Sequence, residues 1–301
     1  MKCLPLALFM FVGVVNAQLS VSSIQPLPVP AVEHWSNAIF SANGHSIFMT
    51  NTEFNGIWEY SLVNKTLRQI TAGKQSGFGF VVSPYGSTIA FRRTVREQNA
   101  KASRIQEAVV VDLRSLNERV LEQGGSVDIP FFTGNNIPAT YRALSSDAKF
   151  NSSLPIVLGT AERGITVLKD GKSIIVDPFA GGQYIWPSLS PDKKKLTGVE
   201  MGHGAFICDL DGKNIIRLGR CNSPQWSSDG RWVIGMNDID DGHVITGSDI
   251  IAVTADGKKK VNLTNSPGII ELFPTVHPLS NEIITTTSTG TVLLIKYVEG
   301  N

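Results

Sequence analysis

Residues 224–234 read Pro224-Gln225-Trp226-Ser227-Ser228-Asp229-Gly230-Arg231-Trp232-Val233-Ile234, a short apolar strand, a Ser-Asp-Gly turn and a second apolar strand. Asp and Gly supply the backbone geometry of a tight turn, so the segment predicts a β-hairpin. The pattern recurs. Pro187-Ser188-Leu189-Ser190-Pro191-Asp192, followed by Leu196, repeats it closely, and Pro274-Thr275-Val276-His277-Pro278 keeps the leading Pro, with Ser280-Asn281 in the turn. Phe80-Val81-Val82-Ser83-Pro84-Tyr85-Gly86 lacks that Pro, and Ile39-Phe40-Ser41-Ala42-Asn43-Gly44 turns on Asn-Gly, a strong hairpin signal. Pro130-Phe131-Phe132-Thr133-Gly134-Asn135-Asn136-Ile137 is the faintest copy.

Aligned on Ser227, the copies fall at 41, 83, 133, 190, 227 and 277. Repeats at such intervals mean stacked or radially arranged units, each too small to bury its own apolar face. Each turn is followed by further short strands. In the first copy these cover 46–50, 56–61 and 67–71; in the fifth, 248–254 leads through Asp256-Gly257 and a lysine triplet to 261–264. The unit is a four-stranded meander, and six of them predict an all-β, six-bladed β-propeller. The last copy has room for only three strands before Asn301. The β-prone segment 19–24 is expected to supply the fourth and so close the ring, removing an exposed edge.

The first seventeen residues set the compartment. Lys2, an apolar run from 3 to 15 and Val15-Asn16-Ala17 before Gln18 have the form of a secretory signal peptide cleaved after Ala17. Residues 18–301 then form one propeller domain in the periplasm or outside the cell. No later stretch approaches the roughly 20 apolar residues of a membrane span. Lys plus Arg total 27 against 26 Asp plus Glu, without the clustered basic face of a nucleic-acid binder. The lysine triplets at 193–195 and 258–260 flank Asp192 and Asp256-Gly257 and read as solvated turns. Cys208 and Cys221 remain after cleavage; an oxidising compartment permits a disulfide, and two unpaired buried thiols are the other reading.

Trp226-Ser227-Ser228-Asp229-Gly230, with Asp249-Ile250 and Ala255-Asp256-Gly257 through Leu263-Thr264, resembles the PD40 (WD40-like) repeat of TolB-like propellers. The resemblance covers nearly all of 18–301 and is weakest at 138–177. It implies a six-bladed ring whose face binds a protein or other extracellular partner. The α/β domain that precedes the TolB propeller is not expected here, because only residues 18 to about 34 come before the first blade. Similar propellers precede serine peptidase domains, but no Gly-x-Ser-x-Gly elbow occurs here.

Three sets of residues carry candidate chemistry. Asp238, Asp240, Asp241 and Asp249 offer hard oxygen ligands for Ca²⁺, without EF-hand spacing; solvated loop carboxylates and a partner-binding role are the other readings. Arg92, Arg93 and Arg96, near Glu97, Lys101 and Arg104, are expected in a long loop as a cationic patch for an acidic partner or anionic glycan, with a plain solvated loop as the other reading. His34, His45, His203, His243 and His277 fall in or next to four different blades, as surface or turn residues or as ligands that loops bring together at the central channel. The resemblance extends to lyases with a metal in the channel, which makes a carbohydrate lyase-like enzyme the alternative to a non-catalytic binding scaffold. Trp35, Trp58, Trp186 and Trp226 are expected to pack between blades.

Overall fold

The computed structural model describes residues 18–96, 104–133, 137–142, 154–161 and 164–300. The expected signal peptide and the turn residues 134–136 lie outside them, as do Glu97 and Lys101. The described chain is all-β apart from one short turn of helix at 141–142.

Blade 1 is Trp35–Phe40, Ser46–Asn51, Ile57–Ser61 and Leu67–Thr71 in meander order. Blade 2 is Val81–Val82, Thr88–Arg96, Ile105–Asp112 and Glu118–Gly124. Blade 4 runs from Tyr184–Leu189 to Ile216–Gly219, and blade 5 from Asn222–Trp226 to Lys260–Asn262. Blade 3 departs from the pattern. Its sheet has three strands, Ile156–Ala161, Gly164–Lys169 and Lys172–Val176, and the faint repeat copy forms a separate two-stranded pair, Phe131–Phe132 with Pro138–Ala139. The Ser-Asp-Gly lock is missing at this copy, which fits the break.

Blade 6 takes Glu271–Val276, Glu282–Thr287 and Val292–Gly300 from one end of the chain and Gln18–Pro26 from the other. The N-terminal strand pairs antiparallel with the last, from Gln18 opposite Gly300 to Pro26 opposite Leu293, as the repeat count required. Six apolar clusters hold the ring, each spanning two successive blades. One joins Trp232, Ile234 and Ile250 of blade 5 to Leu19, Ile283 and Ile295 of blade 6; another joins Ile284 and Leu294 to Trp35 and Tyr60 of blade 1. Three others fill the seams 1–2, 3–4 and 4–5, and the smallest, Ala90, Val110 and Phe132, joins blade 2 to the Phe131–Phe132 pair.

The repeated turn explains its own sequence. Each of Ser41, Ser83, Thr133, Ser190, Ser227 and His277 immediately follows the first strand of its blade. In blade 5 the Ser227 hydroxyl donates to Asp229 Oδ1 at 2.6 Å and accepts the Trp232 N–H at 3.0 Å. Ser190 with Asp192, and Ser41 with Asn43, form the same bond. In blade 6 His277 replaces the serine. Its Nδ1 accepts the Leu279 N–H at 3.0 Å, and its ring lies edge-on to Phe40 at 4.7 Å. That ring occupies the space over Gly44, where a Cβ would meet Nε2 at 1.9 Å, so glycine at 44 is required.

Both cysteines are buried and unpaired, on opposite sides of blade 4: Cys208 packs toward blade 3 and Cys221 toward blade 5. Burial pushes both thiols up to about 12. A chain of residues 18–301 is therefore expected to give no reaction with Ellman's reagent at pH 8, and two thiols after unfolding in guanidinium. One fast-reacting thiol in the native state would contradict this packing.

Candidate functional site

The first strands of four blades share an irregularity. Between Ser36 and Ile39, Ile185 and Ser188, Asn222 and Gln225, and Leu272 and Thr275, two residues oppose one on the neighbouring strand. These are β-bulges, and the first bulged residue in each is left-handed: Asn37 (φ 47°), Trp186 (52°), Ser223 (50°) and Phe273 (52°). The second is Ala38, Pro187, Pro224 or Pro274. Proline suits a position whose N–H the ladder cannot use, which accounts for the leading Pro of the repeat.

The bulges turn side chains toward the axis. Trp186 of blade 4 and Phe273 of blade 6, two blades apart, meet edge-to-face at 6.5 Å. Trp186 is 37% exposed, so the expectation that it packs between blades is corrected, while Trp35, Trp58 and Trp226 are buried as expected. The face bearing the repeat turns opens between blades 4, 5 and 6 in a hollow of about 260 Å³ lined by Ser188, Gln225, Trp226 and His277.

The opposite face carries the loops between second and third strands and the connections between blades. There a cleft of about 250 Å³ lies between blades 5 and 6, lined by Asn237, Ile239, Asp249, Ser266 and Ile269 among others. Glu271 stands beside it. It is fully buried, and neither carboxylate oxygen has a hydrogen-bond partner. Burial pushes it up to about 7; the Ser266 and Thr264 hydroxyls work against that shift and the Asp249 charge adds to it.

The four aspartates do not converge. Asn237 opposes Asp249 and Asp238 opposes Ser248, so Asp238 and Asp249 project from opposite faces of the blade. Asp240 caps the Gly242 N–H, Asp241 holds the His243 and Val244 N–H groups, and Asp238 accepts from Asn222. The arginines lie in the strand Thr88–Arg96, not in a loop, and Arg92 and Arg93 alternate across it. Arg92 donates to the Val127 carbonyl and lines a cleft of about 510 Å³ with Asp128, Phe131 and Tyr141; burial and Arg104 pull it below its ordinary value. Arg93 is committed within blade 2. Although burial opposes its charge, bonds to Glu118 at 2.6 Å and Glu107 at 3.0 Å hold it above its ordinary value. Arg96 is exposed at the strand end.

His34, His45, His203 and His243 are exposed and only His277 is buried. Among the described residues no three His, Cys, Asp or Glu side chains are grouped closely enough to hold a metal. The residue that sequence reasoning missed is Glu271. It sits two positions before the bulge residue Phe273, where the equivalent positions in blades 1, 4 and 5 are the buried Trp35, Tyr184 and Cys221. Aligning the copies on their bulges would have exposed an acid in an apolar slot.

Solved structures share this architecture. TolB from Acinetobacter baumannii matches with a TM-score of 0.55 at 17% identity over 80% of this chain. The fold is that of a TolB-type propeller. The chain spans 56% of that TolB's length. The propeller domain of Myceliophteria thermophila Cps50 (Swd1) matches at 0.57 and 11% identity, over 93% of this chain and 99% of its own. An oligogalacturonate lyase from Vibrio parahaemolyticus matches at 0.50 and 11%, over 86% and 76%. No family model and no curated protein matches the chain. Among the described residues of the propeller no helix is long and apolar enough to cross a membrane.

Proposed function

We propose that this TolB-type propeller is an exported, non-catalytic binding scaffold whose loop face over blades 4 to 6 takes a segment of a protein or other extracellular ligand. The observation that carries this reading is the aromatic pair at the axis. Trp186 is a large, half-open aromatic beside Phe273; Met201, Val244 and Ile269 are exposed on loops of blades 4 to 6, and Ile239 is exposed near the end of the strand Trp232–Asp240. Partly exposed aromatics within an apolar surround are the usual anchors of binding surfaces.

A photo-crosslinking residue placed at Met201 or Ile239 of the full chain, expressed in an exporting cell, is expected to give discrete adducts. The same residue at Tyr85, on the turn face, is expected to give none. Adducts from Tyr85 alone would move the binding face. The likeness to oligogalacturonate lyase favours the enzyme reading, and a parallel assay addresses it. Purified chain incubated with manganese and oligogalacturonate is expected to form no unsaturated product, and turnover would replace the scaffold reading with a lyase.

A further inference from the structure

The seam between blades 5 and 6 holds oxygen lone pairs in excess of the hydrogens available to them. Glu271 is fully buried with both oxygens unpartnered, and Asp249 lies within electrostatic reach of it. The Thr264 and Ser266 hydroxyls beside Glu271 favour its charged form, but neither lies within hydrogen-bond geometry of it and both are shared with other acceptors. Thr264 Oγ1 accepts the Ile250 N–H and leans on Asp249 Oδ1 at 3.5 Å, and Ser266 Oγ donates to the Thr264 carbonyl at 3.3 Å. Asp249 is held in place by the Ser266 N–H at 3.1 Å and the Asn262 amide at 2.8 Å, which leaves lone pairs on both of its oxygens. Ser248, bridged through its backbone to Ile270, also has a buried hydroxyl without a partner. Among the described residues no Lys, Arg or His pairs with either acid.

Buried carboxylates are stable only when protonated, paired or bound to a metal. A donor set of carboxylates and hydroxyls, with no nitrogen or sulfur, selects a hard cation, and calcium tolerates such an irregular arrangement better than magnesium does. We propose that Glu271 and Asp249, with the hydroxyls of Thr264 and Ser266, form a calcium site in the seam between blades 5 and 6. The adjoining cleft, lined by Asp249 and Ser266, is the path by which the ion enters, and water completes its shell. The site keeps one residue of the acidic set legible in the sequence, Asp249, and replaces the other three with residues of the following inter-blade connection and the first strand of blade 6. It does not depend on what the loop face binds.

The test is calorimetric titration of the full chelator-treated chain with calcium chloride, alongside melting with and without the ion. One calcium per chain and a higher melting temperature are expected. Glu271→Gln, nearly isosteric and uncharged, is expected to weaken binding by roughly tenfold or more. Asp240→Asn is expected to bind like the wild type. Should Glu271→Gln not fold, Asp249→Asn and Thr264→Val carry the same comparison. Wild-type protein with no calcium heat and no shift in melting would overturn the site and assign the space to a proton. Loss of binding in Asp240→Asn with retention in Glu271→Gln would overturn it in favour of the loop aspartates.

Discussion

A chain lacking residues 18–26 is expected to purify as soluble aggregate or not at all. The last strand, Val292–Gly300, then becomes an unpaired edge along nearly its whole length, and such an edge recruits other chains. The deletion also opens the core. Leu19 is 1% exposed and sits with Trp232, Ile283 and Tyr297 in the seam between blades 5 and 6. Opposite it, Glu299 of the last strand accepts from the Trp232 indole at 2.5 Å and pairs with Arg231, tying that strand to blade 5. Leu19→Ala alone is expected to cost about 2–5 kcal/mol, read as a lower urea midpoint at unchanged slope. A truncated chain that stays monomeric with the wild-type midpoint would show that the ring does not need this strand.

Chelator-treated protein is expected to lose stability as pH rises from about 5 to 7, through Glu271. Its folded-state value of about 7 lies above its ordinary 4.5, so the unfolded chain gives up its proton first. Below 4.5 both states are protonated and this group costs nothing. Between 4.5 and 7 the cost of keeping the buried acid protonated, and then ionised, grows; above 7 it is constant at roughly 3 kcal/mol. The signal is best read as a difference. Wild type and Glu271→Gln, each unfolded in urea from pH 5 to 8, should be nearly equal at pH 5, with the variant more stable by about that amount at pH 8. Acid loss from groups such as Asp256, held near 2 by Thr254 and the Lys258 N–H, has the opposite sign and lies outside this window. A difference that does not change with pH would mean that Glu271 stays ionised throughout.

Much of the fold was legible because one interaction repeats. The Ser-x-Asp turn fixes where each first strand ends, and all six expected positions, including the faint Thr133 and the substituted His277, lie there. Counting strands then showed that the last blade lacked one, which assigned 19–24 its place. Blade 3 was not legible, since its turn lacks the side chain that makes the lock and its inner pair is detached from the three-stranded sheet. The candidate site was mostly hidden. Spacing brought four aspartates together in sequence, but strand alternation sends Asp238 and Asp249 to opposite faces, and the arginines prolong a strand where a loop was expected. Glu271 was overlooked because an acid beside a Pro-Gly turn looks solvated until its slot is compared with Trp35, Tyr184 and Cys221.

The bulges at Asn37, Trp186, Ser223 and Phe273 have an engineering consequence. Each residue accepts a left-handed backbone that side chains other than Gly, Asn and Asp adopt at some cost, and so the position tolerates chemically unlike occupants. The blade keeps its packing through the residues on either side. Among the described residues the axis of the ring therefore carries three partly open sockets, at Asn37, Trp186 and Phe273, and a fourth at Ser223 that is closed over. Recoding the three open ones together, for charge, size or polarity, would give the channel a new lining while the outer architecture stays as it is.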